Sequence, residues 1–144
     1  MTIFVASDHA GFHLRQSLVQ HLRSRGVAVE DLGPVAPERC DYPDYAAVVA
    51  RRVAAGEGLG LLVCGTGVGM AMAANKLAGV RAAVVSDTFS ARATRAHNDC
   101  NVLCVGERVV GAGLAADIVD AWLDAEFEGG RHAGRVAKIH ALEA

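Results

Sequence analysis

Cys64 opens the run Cys64-Gly65-Thr66-Gly67-Val68-Gly69, directly after the apolar stretch Leu61-Leu62-Val63. A cysteine at the end of a strand, just before a helix N-terminus, lies where the positive end of the helix dipole favours thiolate over thiol. A thiolate there can act as a nucleophile or as a base. The glycines carry no side chains, so backbone N–H groups can approach an anion closely. The helix end adds to that attraction. Such a loop can hold a phosphate, a carboxylate or a developing oxyanion. The spacing is not G-x-x-x-x-G-K-[ST], so there is no Walker A phosphate cradle. It is not G-x-G-x-x-G either, and that dinucleotide fingerprint would follow the first strand, not the third. A tight strand-to-helix connection explains the glycines equally well. The cysteine beside them is what points to chemistry.

Two of the six histidines are placed for proton transfer. His9 follows the first apolar run with Asp8 beside it, and His97 precedes Asn98 and Asp99 just before the last apolar run. Histidine gives or takes a proton near neutral pH. His13, His21 and His140 read as surface groups. Arg131 and Arg135 are spaced i, i+4, so on a helix they share one face and can grip a phosphate with forked hydrogen bonds. Arg108 follows the last strand and can face the same edge of a sheet as Cys64. The cysteines at 40, 64, 100 and 104 form no CxxC pair. Cys40, Cys100 and Cys104 read as unpaired thiols in a reducing compartment. No group of ligating residues has convincing metal spacing, so neither a catalytic metal nor a cofactor is expected.

These residues need a scaffold, and the hydrophobic pattern supplies one. Short apolar runs predict strands over 3–6, 27–32, 61–64, 82–86 and 102–105. Amphipathic stretches predict helices over 11–25, 45–55, 68–77, 88–96, 111–127 and 131–142. Residues 33–43 read as a Gly-Pro loop. Strands alternating with helices imply a parallel sheet covered on both faces, and near-continuously apolar strands fit burial on both sides. Ligands of such sheets bind outside the carboxyl ends of the strands, at a topological switch point. Asp8-His9 and Cys64-Gly65 both occupy such ends.

The bulk numbers agree. A chain of 144 residues, 52% hydrophobic and 21% charged, suits one globular domain over 1–144. A net charge of -2 argues against a general nucleic-acid binder. No signal-peptide pattern and no membrane-length apolar run is present, so the expected location is the cytoplasm, with no membrane partner.

Taken in series, the motifs SDHAGFHLR (7–15), DYPDYA (41–46), CGTGVGMAMAANKLAGVRAA (64–83), RAHNDCNVLCVGERVVG (95–111) and EGGRHAGRV (128–136) resemble ribose-5-phosphate isomerase type B. That family belongs to a group that includes the subunits of galactose-6-phosphate isomerase. The resemblance covers nearly the whole chain. It implies a Rossmann-like three-layer αβα sandwich on a doubly wound five-stranded parallel sheet, with a C-terminal helix. It implies a homodimer, often paired into a tetramer, with each active site between two subunits. Residue by residue, it implies Cys64 as the base and His97 as the ring-opening group. Gly65, Thr66, Gly67, Val68 and Gly69 become the anion-stabilising loop. Asp8, His9 and Asn98 become substrate contacts. Arg131 and Arg135 become phosphate ligands with His9 near them, and Arg108 is a further candidate. Some relatives use a glutamate as base, so a chain that keeps Cys64 falls in the cysteine-type branch.

The implied reaction interconverts ribose 5-phosphate and ribulose 5-phosphate. His97 protonates the ring oxygen while a group near Asp8 takes the anomeric proton. Cys64 then moves a proton from C2 to C1 through a cis-enediolate. Rival readings are isomerisation of allose 6-phosphate, galactose 6-phosphate or a tetrulose phosphate, a non-catalytic phosphosugar-binding module, and a thiol redox protein. Cys64 and His97 together favour an enzyme over a binding module, and the missing CxxC counts against redox chemistry.

Overall fold

A computed structural model describes residues 1–143. Its centre is a five-stranded, wholly parallel sheet in the order β2-β1-β3-β5-β4. The elements in chain order are β1 (Thr2–Ser7), α1 (Phe12–Ser24), β2 (Ala28–Asp31), α2 (Tyr42–Ala54), β3 (Gly58–Cys64) and α3 (Val68–Ala74). β4 (Ala82–Val84), α4 (Thr88–Asn98), β5 (Val102–Gly106), α5 (Ala112–Asp124) and α6 (Arg131–His140) complete the chain.

Successive strand residues point to opposite faces, and each face has its own core. Ile3, Val5, Leu61, Val63, Leu103 and Val105 pack with Leu14, Leu18 and Leu22 of α1 and with Ile118 and Trp122 of α5. Phe4, Ala6, Leu62, Cys64 and Cys104 pack on the other side with Val49 and Val53 of α2 and Met70 and Ala74 of α3. The expected αβα sandwich is therefore present, with α1 and α5 on one face and α2 and α3 on the other.

Several boundaries differ from the pattern reading, each for a local reason. α2 begins at Tyr42, not at 45, because Pro43 is tolerated in a first helical turn, where its missing N–H costs nothing. β3 begins at Gly58 and runs through Gly60. A Cβ on Gly60 would lie 2.7 Å from the Val49 side chain, so α2 packs close because no side chain stands there. α3 stops at Ala74, because Asn75 instead pairs its side-chain amide with both backbone groups of Ala82. α5 and α6 end earlier than expected, at Asp124 and His140. β2 lies at a sheet edge and is mostly exposed, so the expectation of strands buried on both sides fails for Ala28–Asp31.

β1 and β3 are neighbours, but the chain leaves them in opposite directions. β1 leads to the edge strand β2, and β3 leads past β5 to β4. This is the switch point, and the crevice at the carboxyl ends of β1 and β3 is where this architecture binds ligands.

Candidate active site

Asp8 leaves β1 with its N–H donating to the carbonyl of Val63 at 3.2 Å. Its buried carboxylate accepts the N–H of Gly11 at 3.1 Å. A Cβ on Gly11 would lie 2.5 Å from that same Val63 carbonyl, so the turn presses directly on the end of β3. His9 is oriented from outside the turn, since its Nδ1 accepts the N–H of Cys40 at 3.3 Å. In a neutral imidazole that bond puts the proton on Nε2.

The segment carrying Cys40 is itself anchored. Buried Arg15 donates to the Ser7 hydroxyl at 3.1 Å and to the Pro34 carbonyl, and its Nε lies 3.4 Å from Asp31. Burial pulls the Arg15 pKa down, with Asp31 working in the opposite direction.

Cys64 ends β3 as a buried residue, 5% exposed. The N–H of Gly67 donates to its Sγ at 3.1 Å, so the glycine turn already points one backbone dipole at the sulfur. The Thr66 hydroxyl accepts the N–H of Val68 at 3.2 Å, which leaves its own proton available to donate. The turn is held against the loop after β5: Glu107 N–H donates to the Cys64 carbonyl at 2.9 Å and Arg108 N–H to the Gly65 carbonyl at 3.0 Å.

Gly67 has φ 82°, and a Cβ there would meet Val84 at 2.7 Å and the Val105 backbone at 3.0 Å. Gly67→Ala should therefore lower stability by about 2–4 kcal/mol, from left-handed strain plus overpacking. Urea unfolding with a loss under about 1 kcal/mol would contradict this close approach.

Asp8, His9, Ala10, Tyr42, Cys64, Gly65, Thr66, Val68, Gly69, Met72 and Arg108 line one open cleft of about 450 Å³. Eight of the sequence-derived candidates meet there. Tyr42 and Met72 were missed. The Tyr42 ring covers Gly69, where a Cβ would sit 2.6 Å away. Tyr42 lies in the DYPDYA motif, but no periodicity marks it as a lining residue.

Cys100 and Cys104 are set apart from the cleft. Cys40, Cys64, Cys100 and Cys104 are all free. Burial pushes the Cys100 and Cys104 thiols up, so both stay protonated. Cys100 lines a larger groove of about 750 Å³ with Arg81, Asn98 and Ile139, distinct from the Cys64 cleft.

His97, Asn98, Arg131 and Arg135 do not join the cleft. α4 starts at the carboxyl edge of β4, capped by Asp87 accepting the Ser90 N–H at 2.6 Å. It runs back to the amino edge and turns into β5 at Asp99 (φ 50°). His97 and Asn98 are thus a whole strand length from Cys64, roughly 15–20 Å. α6 docks at that same edge, where the His132 ring stacks on His97 with centroids 4.3 Å apart. Arg131 and Arg135 are exposed on α6. His9 is consequently not beside these arginines within one chain. The candidate residues therefore fall into two groups, at opposite edges of the sheet.

The profile of the Ribose/Galactose Isomerase family matches residues 3–139. The chain belongs to this family. Ribose-5-phosphate isomerase B of Escherichia coli (strain K12) is 57% identical over 137 residues, spanning 94% of this chain and 92% of the relative. The structure of ribose-5-phosphate isomerase B from Clostridium thermocellum superposes with a TM-score of 0.98 at 51% identity, covering 99% of this chain and 97% of that one. That of Mycoplasma genitalium ribose-5-phosphate isomerase B, with bound ribulose-5-phosphate, gives 0.96 at 46% identity, covering 99% and 95%. D-erythrulose-4-phosphate isomerase of Pectobacterium atrosepticum is 41% identical over 141 residues, covering 96% of this chain and 93% of the relative. The family's chemistry is sugar-phosphate isomerisation, and this chain is a sugar-phosphate isomerase. Among the described residues no helix is long and apolar enough to cross a membrane.

Proposed function

We propose that this protein interconverts ribose 5-phosphate and ribulose 5-phosphate, with Cys64 as the base, in a site completed by a second copy of the chain. The observation that carries this is the Cys64 thiol. It lines an open cleft beside Asp8, His9 and Thr66 while accepting the N–H of Gly67. His97, Asn98, Arg131 and Arg135 lie at the far edge of the same sheet, so they serve such a cleft only from a partner. The exposed Val68 and Met72 of the cleft, with exposed Val84 beside Gly67, are apolar surface suited to cover by that partner. A homodimer is the smallest assembly that meets this need.

In this reading the arginines hold a phosphate that does not react, and that remote binding fixes the reacting end in place. His97 donates a proton to the ring oxygen as Asp8 assists removal of the proton of the anomeric hydroxyl, so that the C1–O ring bond breaks as the C1 carbonyl forms. Cys64 takes the C2 proton of the open aldose and returns it to C1, serving both carbons from one face of the cis-enediolate. The hydroxyl proton passes from O2 to O1. The Thr66 hydroxyl and the backbone N–H groups of the turn meet the charge that develops on oxygen. Losing one such donor typically costs roughly 3 kcal/mol in the transition state. The hydrogen moves as a proton throughout, so the scheme uses no cofactor. Arg108, exposed beside Gly65, is a further anion ligand at the mouth of the cleft.

A second reading keeps the chemistry and changes the sugar, and the similarity to the D-erythrulose-4-phosphate isomerase favours it. The purified chain alone, offered ribose 5-phosphate, allose 6-phosphate, galactose 6-phosphate and D-erythrulose 4-phosphate with direct product detection, separates the two. The highest kcat/KM is expected on ribose 5-phosphate. A clear preference for another sugar would replace the substrate, and turnover of none would point to a sugar phosphate outside the panel or to a missing partner subunit.

A further inference from the structure

His97 closes α4 and His132 lies in the first turn of α6. Their rings are stacked with planes 9° apart. Glu128 faces both: its Oε1 is 3.7 Å from Nε2 of His97 and 3.8 Å from Nε2 of His132. One ligand atom from each of the three residues lies within 4.8 Å of the other two. The backbone holds this grouping in place. Glu128 N–H donates to the Ala96 carbonyl at 2.9 Å, and His132 N–H donates to the Gly129 carbonyl at 3.0 Å. Gly129 and Gly130, at φ 64° and 54°, turn the chain between them.

A second observation points to a ligand. His132 is 7% exposed, yet its Nε2 is buried with no hydrogen-bond partner among the described residues. Buried polar atoms are normally satisfied. Glu128 faces this nitrogen from beyond hydrogen-bond range, at a separation that suits an ion between them.

We propose that His97, Glu128 and His132 bind a divalent transition-metal cation, Zn²⁺ in the first instance, and that the ion switches the isomerase off by occupying His97. Two imidazoles, one carboxylate and an open fourth position match zinc's ligand preferences. Zinc bonds of about 2.0–2.1 Å set tetrahedral donors roughly 3.4 Å apart. The separations from Glu128 need only a small closure, but stacked rings hold their lone pairs in nearly parallel planes, so His97 must swing out of the stack to aim its Nε2 at the same ion as His132. Glu128 and His97 are free to make these movements, with side chains 59% and 44% exposed. A ligating imidazole must be neutral. Burial first, then the neighbouring His97 and Arg131, and to a lesser degree Arg135, hold the His132 pKa below its ordinary value against the pull of Glu128. The same two arginines oppose a cation, so the ion is exchangeable and not a permanent structural one. The site stands on geometry alone. The inhibition rests on the ring-opening role proposed for His97.

The test uses the full chain carrying Cys64→Ser, titrated with Zn²⁺ by calorimetry and with Co²⁺ by visible spectroscopy. One ion per chain is expected, with cobalt d–d bands and no thiolate-to-cobalt charge transfer. Glu128→Gln and His132→Asn should each weaken binding at least about tenfold. Glu128 is exposed, so its variant tests the site even if loss of buried His132 disturbs the fold. Unchanged affinity in Glu128→Gln, or a thiolate-dominated cobalt spectrum, overturns the site. With Cys64 restored, Zn²⁺ should block turnover of the cyclic aldose while solvent deuterium still exchanges into the open-chain ketose. Glu128→Gln should then need at least about tenfold more zinc for the same inhibition. If binding follows Glu128 but inhibition does not, the switch and the ring-opening role of His97 fall together while the site remains.

Discussion

Cys64→Ala should lower isomerase turnover by at least about 10³-fold while the protein stays folded. A positioned general acid or base typically contributes 10²–10⁴-fold, and in the proposed scheme Cys64 serves both carbons, so its loss stops both halves of the transfer. The structural cost is small. Alanine removes one buried sulfur and one hydrogen bond, from Gly67 N–H, and leaves the strand pairing of Cys64 with Gly106 in place. Phosphate affinity should persist, because the substitution leaves the proposed phosphate ligands Arg131 and Arg135 untouched and they grip the end of the sugar that does not react. Cys64→Ser is the sharper control. Its hydroxyl can still accept from Gly67 but is a far weaker acid than a thiol, so activity should stay close to that of the alanine variant. Direct product assay, circular dichroism and calorimetric phosphate binding check the three claims. Residual turnover above about a tenth of the parent would remove Cys64 as the base, on the same scale of base contribution.

The reason Cys64 could be found before the fold was known is local. A strand end, a cysteine and alternating glycines are adjacent in the chain, and the switch-point rule directs attention to the carboxyl edge. The same rule brought Asp8 and His9 into the cleft. β1, β3 and β5 are legible because strands buried on both faces read as apolar runs; β2 is found where the sequence places it, within 27–32, but Ala-Val-Glu-Asp at an edge does not have the burial expected of it. Tyr42 was hidden because its contact with Gly69 joins two elements far apart in the chain. The stacking of His132 on His97 was hidden for the same reason, and with it the grouping of three metal-capable side chains that sequence spacing did not reveal. The separation of His97 from Cys64, by contrast, follows from topology. A helix that links parallel strands must return to the amino edge, so a histidine at its last turn cannot face a cysteine at a carboxyl end.

That separation gives the most decisive prediction. Cys64→Ala and His97→Asn should each be nearly inactive on the cyclic aldose, yet a mixture of the two, unfolded and refolded together, should regain about a quarter of the parent activity. The arithmetic follows from twofold symmetry. If each site takes Cys64 from one copy and His97 from the other, a hybrid dimer has one site with both residues lost and one site with both intact. Random pairing makes about half of the dimers hybrid, each with one working site of two. A site built from one chain gives no such rescue, because every site in the mixture would still lack one group. The comparison also separates the roles. His97→Asn alone should retain deuterium exchange into the open-chain ketose, which needs no ring opening, whereas Cys64→Ala should lose it. Refolded mixtures that form hybrid dimers yet stay as inactive as their parents would overturn the site shared between Cys64 of one copy and His97 of the other.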